Sequence, residues 1–327
     1  MKALALLSGG LDSILSVCLV KEQGIQVEGI CFVSPFFGSE RAEKAAKSLN
    51  IPLTIVDISE KLISIIKSPP HGFGKGANPC IDCHILMVKT AGNLMQEKGA
   101  SFLISGEVLG ERPMSQNRRA LNMIAKESGW EDYLLRPLTA KNLPLTLPER
   151  KGWVDREKLL GIRGRNRKIQ LELIKKFKIK EFPPPGGGCL LTDPNFSKRI
   201  RYVLQTGKIN LQEIERLKIG RHFRLNNKAR VLVGRNKKEN LKIKELATSG
   251  DFIFKVRGFP GPKALVWGVL DEEIIYKAAS LIARYSDAPG GIVEVEYHQI
   301  PQGLRKIIKV IPMDDTQIEK LRIEEDV

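Results

Sequence analysis

Six residues near the start, Ser8-Gly9-Gly10-Leu11-Asp12-Ser13, carry the properties that a phosphate site needs. The glycines let the backbone turn tightly and aim N–H groups at an anion. A helix beginning just behind them adds a favourable dipole. Ser8 and Ser13 can donate hydroxyl hydrogen bonds to phosphate. Asp12 is out of place beside a phosphate unless Mg²⁺ stands between them, bound directly or through its water shell. No lysine follows in the Walker position, so this is not a kinase-type loop. A helix cap alone would need only Asp12 or Ser13.

The second candidate is a set of cysteines. Asn78-Pro79-Cys80-Ile81-Asp82-Cys83-His84 follows a Gly/Pro-rich stretch, and Cys189 lies far downstream after three glycines. The two thiolates, read as lying on a turn, can share one soft metal centre, and a third on a glycine loop can close over it. Zinc would want a fourth ligand, for which His84, adjacent to Cys83, is awkwardly placed. A 4Fe–4S cluster with one iron left open takes three thiolates. A redox pair is the other reading, since a thiol near cationic groups ionises more easily. Cys18 and Cys31 fall on apolar stretches and read as core fillers. The total of five cysteines is odd, and no membrane span or signal segment is visible. The chain is therefore expected in the cytoplasm, where a disulfide framework is disfavoured.

These residues need a scaffold. Residues 2–7 read as a buried strand and 12–23 as a helix packed on a sheet. Strands at Val27–Val33, Leu53–Val56, Phe102–Ser105 and Leu134–Leu135 alternate with helices at Glu40–Leu49 and near 84–98. That order predicts an α/β fold: a parallel twisted sheet with helices on both faces. Ser105-Gly106-Glu107 then falls at the sheet's C-terminal edge, where such folds bind ligands, so Gly106 is expected at the ATP site. Residues 155–180 read as mostly helical and strongly basic. Pro183-Pro184-Pro185-Gly186-Gly187-Gly188 breaks regular structure. The expected domains are a nucleotide-binding domain over 1–180, a Gly/Pro loop with Cys189 and a basic helical linker over 181–218, and a small α+β domain over 219–327.

Ser-Gly-Gly-x-Asp-Ser after a first strand resembles the PP-loop ATP pyrophosphatase superfamily. That resemblance implies cleavage of ATP to AMP and pyrophosphate, adenylation of a substrate carbonyl oxygen, and an adenine near Phe32 at the end of the second strand. Asn-Pro-Cys-x-x-Cys, followed by a helix and Ser105-Gly106-Glu107-Val108-Leu109-Gly110-Glu111-Arg112-Pro113-Met114-Ser115-Gln116, is similar to the tRNA thiouridylases. It implies that Cys80, Cys83 and Cys189 handle sulfur, with Cys189 as a persulfide carrier or with all three holding a 4Fe–4S cluster. The resemblance covers about residues 1–200. The C-terminal β-barrel typical of 2-thiouridylases is not evident, nor does a THUMP-type segment precede the phosphate loop, which leaves the target base open.

Lys plus Arg exceed Asp plus Glu by 53 to 37, a net charge of +16 that suits a polyanionic partner. Arg112, with Ser115 and Gln116, and the run containing Arg163, Arg165 and Arg167 are candidate contacts to RNA phosphates. Gly220-Arg221-His222-Phe223-Arg224 and Val233-Gly234-Arg235-Asn236-x-x-Glu239-Asn240 resemble the RNA-associated domain at the end of NFACT proteins. There Arg221, His222, Arg235 and Lys263 beside Phe223 and Trp267 suit loop or single-stranded RNA. The leading expectation is an ATP-dependent tRNA sulfurtransferase using ATP, Mg²⁺ and a protein persulfide or inorganic sulfide as sulfur donor. The rivals are adenylation of a small molecule and a non-catalytic RNA-binding adaptor.

Overall fold

In the computed structural model, which describes residues 1–184, 188–206, 209–301 and 303–323, backbone contacts group the chain into two units, Met1–Thr192 and Asp193–Val327. Cys189 thus falls with the first unit, and the basic helices after it with the second.

The first unit runs β1 (Lys2–Leu6), α1 (Leu11–Lys21), β2 (Gln26–Val33), α2 (Glu40–Leu49), β3 (Leu53–Asp57), α3 (Ser59–Lys67), α4 (Cys80–Glu97), β4 (Phe102–Ile104), α5 (Arg118–Ser128), β5 (Leu134–Leu135), α6 (Leu147–Arg150) and α7 (Lys168–Lys176). The strands pair in parallel in the order β3-β2-β1-β4-β5. The interior of β1 is buried throughout, as expected of a central strand covered on both faces. One layer of core packs α1 and α2 on the sheet, and another packs α4 and α5 on the opposite face. A third cluster joins Leu11, Leu15 and Leu19 of α1 to Leu173 of α7. Each such leucine contributes about 1.5–3 kcal/mol by leaving water, so α7 is anchored on α1.

Two expectations are corrected. The Cys-x-x-Cys pair is not on a turn: Cys80 is the first residue of α4, which starts four residues ahead of the predicted helix. Pro79 precedes it, where the missing N–H interrupts no helical bond. Nor is 155–180 mostly helical. Between a 3₁₀ turn at Arg156–Lys158 and α7 the backbone bonds outward instead: Leu160 N–H to Pro137 C=O, Ile162 N–H to Leu138 C=O and Gly164 N–H to Leu109 C=O, at 2.8–2.9 Å. Of the expected Pro/Gly turn, residues 185–187 lie outside the described residues.

The second unit runs α8 (Pro194–Gln205), α9 (Leu211–Leu217), β6 (Arg221–Arg224), β7 (Ala229–Val233), α10 (Lys237–Leu246), β8 (Phe252–Val256), β9 (Lys263–Gly268), α11 (Glu272–Arg284), β10 (Val293–Gln299), β11 (Lys306–Val310) and α12 (Asp315–Leu321). Its strands form an antiparallel sheet in the order β11-β10-β8-β9-β7-β6. Helix α11 covers one face through Ile274, Ala278 and Leu281. Ile243 of α10 closes over Leu232, Ile253 and Leu265 on the other.

Candidate active site

The strand order places the switch point of the parallel sheet between β1 and β4: the chain leaves β1 towards β2 and β3, then returns to the other side of β1. Loops after neighbouring strands diverge there and leave a crevice at their carboxyl ends. Residues 8–10 follow β1 and residues 105–107 follow β4, so both predicted segments meet at it.

The segment expected to hold phosphate turns tightly between β1 and α1. Gly9 takes a left-handed φ of +74° and lies against the Arg41 backbone, where a β-carbon has no room. Gly10 caps α1 without any side-chain hydrogen bond. The first helical bond is Ile14 N–H to Gly10 C=O at 3.1 Å, so the amides of residues 11–13 have no helical acceptor and suit an anion. The Ser13 hydroxyl donates to Gly10 C=O at 2.7 Å, and Ser8 Oγ accepts from the Gly10 amide at 3.3 Å. Gly106 packs on the backbone of Asp12 and Ser13. Phe32 is buried in the sheet core at the end of β2.

Glu107 was expected near ligand, but its carboxylate is committed to structure. It is buried, accepting from Arg136 Nε at 2.8 Å, His84 Nδ1 at 2.8 Å and Ser105 Oγ at 3.1 Å. Burial alone would raise its pKa, but the Arg136 charge and His84 outweigh that and hold it well below the usual carboxylate range. The result is a rigid post behind Gly106. Ser115 and Gln116, expected at phosphate or RNA, are likewise buried, whereas Arg112 is exposed.

Asp12 is met by residues that its local sequence does not announce. Gln170 of α7, 1% exposed, donates to Asp12 Oδ1 at 3.4 Å. Arg167 stands 3.9 Å from Asp12 Oδ2 and 3.4 Å from Glu111 Oε1. Desolvation raises the Asp12 pKa against the opposing charge of Arg167, and raises that of Glu111 together with repulsion from Asp12. Arg167, expected to contact RNA, therefore faces the phosphate loop, while Arg163 and Arg165 are exposed. Two carboxylates in one crevice beside an anion site are the donor set a hard cation such as Mg²⁺ takes.

The three cysteines share one neighbourhood. Cys80 and Cys83 are three apart on α4 and so lie on one face. The Cys189 segment is pinned by Leu190 N–H to Phe36 C=O at 2.9 Å and Ala77 N–H to Leu191 C=O at 3.0 Å. Burial pushes the Cys189 thiol up to about 11 and raises Cys83 well above its ordinary value; Cys189 and then Cys80 push Cys83 further. Arg112 pulls the other way on Cys80 and Cys189 and also acts on Asp12, which links the sulfur set to the phosphate loop. Gly74 approaches Cys80 so closely that a β-carbon would stand 2.7 Å from Sγ. His71 clamps this end of α4: Nδ1 donates to Asp82 Oδ1 at 2.6 Å, and Nε2 is 3.3 Å from Glu127. Three thiols are soft donors that suit an iron–sulfur cluster, though among the described residues no three His, Cys, Asp or Glu side chains already converge as metal ligands.

In the second unit, His222, Phe223 and Trp267 are buried and cannot stack on RNA. Trp267 is held between the Arg216 and Arg230 guanidiniums, 4.9 and 5.0 Å from its ring. Arg221 lies over Tyr285 at 4.9 Å, and Arg235 forks onto Glu239 with its closest contact at 2.6 Å.

Residues 1–142 match the family model described as thiamine biosynthesis protein (ThiI), and residues 220–322 match the NFACT protein RNA binding domain. These two matched stretches are similar to a ThiI-type domain and an NFACT-type domain in turn. A probable tRNA sulfurtransferase of Thermoanaerobacter sp. (strain X514) is 32% identical over 119 residues, 34% of this chain and 30% of the relative. The tRNA-specific 2-thiouridylase MnmA of Syntrophomonas wolfei is 34% identical over 110 residues, 31% of this chain and 32% of the relative. A crystal structure of a 4-thiouridine synthetase–RNA complex with bound ATP aligns with TM-score 0.36 and 20% identity, over 66% of this chain and 51% of that one. The matched stretch is thus about 30% of the first of these relatives' length. Among the described residues no helix is long and apolar enough to cross a membrane.

Proposed function

We propose that the chain is an ATP-dependent tRNA sulfurtransferase of the cytoplasm that replaces a base carbonyl oxygen with sulfur, forming a thiouridine. The observation that carries this reading is the hydrogen bond from the Ala77 amide to Leu191 C=O at 3.0 Å, which brings the Cys189 segment to the end of α4 that holds Cys80 and Cys83, in the same unit as the Ser8–Ser13 loop. The relatives described as tRNA sulfurtransferases support it over the matched residues.

ATP phosphates lie on the amides of residues 11–13 and the hydroxyls of Ser8 and Ser13, with Gly106 closing the far side. Asp12 and Glu111 would hold Mg²⁺, which would offset phosphate charge when bound. The base carbonyl oxygen attacks the α-phosphorus; the new P–O bond forms as the bond to pyrophosphate breaks. Loop amides and Arg167 stabilise the charge that grows on the phosphates. Hydrosulfide then adds to the activated carbon, the C–O bond breaks, and AMP leaves with both electrons. With a persulfide donor the terminal sulfur adds in the same way, and a second cysteine thiolate then attacks the inner sulfur, which frees the thiolated base and leaves a disulfide that an external thiol reductant reopens. Cys80, Cys83 and Cys189 would hold a 4Fe–4S cluster, which would supply an iron open to a sulfur ligand. Arg112, Arg163 and Arg165 contact RNA phosphates from the first unit, and Arg221 and Arg235 from the second.

Incubation with ATP, Mg²⁺, sulfide and unmodified tRNA, prepared without oxygen, tests this reading. Expected are tRNA-dependent pyrophosphate release and tRNA retarded on an organomercury gel. Pyrophosphate release driven by a small molecule instead of tRNA, or no ATP turnover with tRNA bound, would overturn it. An iron and sulfide assay on the same preparation decides the cluster: about four irons per chain support it, and iron-free protein that thiolates only when a persulfide-bearing protein replaces sulfide leaves Cys189 persulfide chemistry.

A further inference from the structure

The antiparallel unit carries a groove of about 380 Å³ beside the β8–β9 turn, lined chiefly by Lys237 and Leu241 of α10, Lys255 of β8, Lys263 of β9, and Phe259 and Pro262 of the turn. Its lining includes three lysines and no carboxylate. Lys255 and Lys263 are directly opposite across β8 and β9, a pairing that like charges disfavour. Burial, and then the charges of Lys244 and Lys255, lower the Lys263 pKa. Glu296 answers part of this charge, 3.3 Å from Lys255 and 3.5 Å from Arg305. Among the described residues neither Lys237 nor Lys263 has an acidic partner within 4 Å. Crowded cations of this kind cost stability alone and become favourable beside a polyanion.

The turn between the lysines is stiff. Pro260 and Pro262 fix their own φ angles. The Asp287 amide donates to Pro260 C=O at 2.9 Å, and Gly261 backs onto Ser286, where a β-carbon would stand 2.9 Å from Ser286 Cβ. This turn holds Phe259 outward, 43% exposed. A ring fixed in that way loses little freedom on stacking. Phe223 and Trp267, the aromatics that the sequence suggested for this role, are buried.

We propose that this groove binds an unpaired, single-stranded segment of RNA, with Phe259 stacked on a base and Lys237, Lys255 and Lys263 on the flanking phosphates. A duplex would satisfy the lysines but offers no free base face to Phe259. The proposal rests on the chain acting on RNA, and its test separates the two.

Fluorescence anisotropy of the full chain, over a KCl series, would compare an unstructured uridine oligonucleotide with a duplex RNA of equal length. Phe259→Ala is expected to weaken single-strand binding about ten-fold while changing duplex binding less than about two-fold, and Phe259→Tyr to restore it. Lys255→Ala and Lys263→Ala should each reduce the steepness of log affinity against log salt by about 0.7. All three positions line the surface, and circular dichroism checks that each variant is folded. Variants that bind single strands like the parent overturn the groove and leave tRNA thiolation standing. A parent chain that binds no RNA overturns both. Equal weakening of duplex and single strand overturns the stacking role, and tighter binding of poly-glutamate than of RNA overturns the choice of ligand.

Discussion

Gly106 lies so close against Ser13 that a β-carbon on it would stand 2.5 Å from the Ser13 amide nitrogen. The atoms it would meet are backbone, at the end of α1 that is open to phosphate, and cannot swing aside as a side chain could. Behind Gly106, Glu107 is fixed by Arg136 and His84, so the β4 loop cannot retreat either. Gly106→Ala should therefore displace the phosphate loop and lower ATP turnover on the order of 10²-fold, with the protein still folded. The rate of tRNA-dependent pyrophosphate release checks this; an unchanged rate would remove Gly106 and the Ser13 amide from the ATP site.

Cys189 belongs to the sulfur step alone on the proposed division of roles. Cys189→Ala should abolish formation of thiolated tRNA while pyrophosphate release continues within about two-fold of the parent. Parallel assays of the two products on one sample decide it. Loss of both activities together would mean that the Cys189 segment helps to build the ATP site.

Arg167 and Gln170 reach Asp12 from a helix more than 150 residues downstream. Gln170→Ala should lower kcat/KM for ATP about ten- to a hundred-fold, the range for one hydrogen bond to a charged group, with KM for tRNA unchanged. Arg167→Ala removes the cation shared by Asp12 and Glu111 and should cost more. A rise in KM for tRNA with ATP use intact would return Arg167 to an RNA contact.

His222 gives the second unit a pH dependence. Its ring is 1% exposed, with Nε2 donating to Ile219 C=O at 2.8 Å. Burial, and then the Arg199 charge, push its pKa down from 6.5 to about 3. The folded state binds the proton more weakly than the unfolded chain, so this contribution is fully present above pH 6.5 and is lost as pH falls towards 3. Between pH 6.5 and 5 the loss amounts to about 2 kcal/mol. Urea unfolding followed through Trp267, the one tryptophan beyond residue 192, should show it, and His222→Gln should flatten it. Equal slopes in parent and variant would assign the pH dependence elsewhere.

The parallel sheet was legible because its strands are short apolar runs set between glycines and amphipathic helices; α2 falls on its predicted bounds. The phosphate loop was legible because glycines, hydroxyls and a carboxylate had to be contiguous. Gln170 and Arg136 were not, because each acts on a distant residue and nothing in their own neighbourhoods marks them. The aromatic contacts misled for a related reason. Both faces of the second sheet are covered, by α11 on one side and partly by α10 on the other, so Phe223 and Trp267 each face a core and alternation no longer separates inside from outside.

The pinning of Cys189 between Phe36 and Ala77 has a consequence for the order in which the chain folds. All five strands of the nucleotide sheet are present once residue 135 has been made, whereas the third cysteine joins only by closing a loop of well over a hundred residues. On the proposed reading, nascent chains acquire the nucleotide-binding half first and the three-cysteine set last. On the same reading, a chain arrested between those points holds the nucleotide pocket and two of the three thiols, so the sulfur chemistry is assembled only after the machinery that directs it.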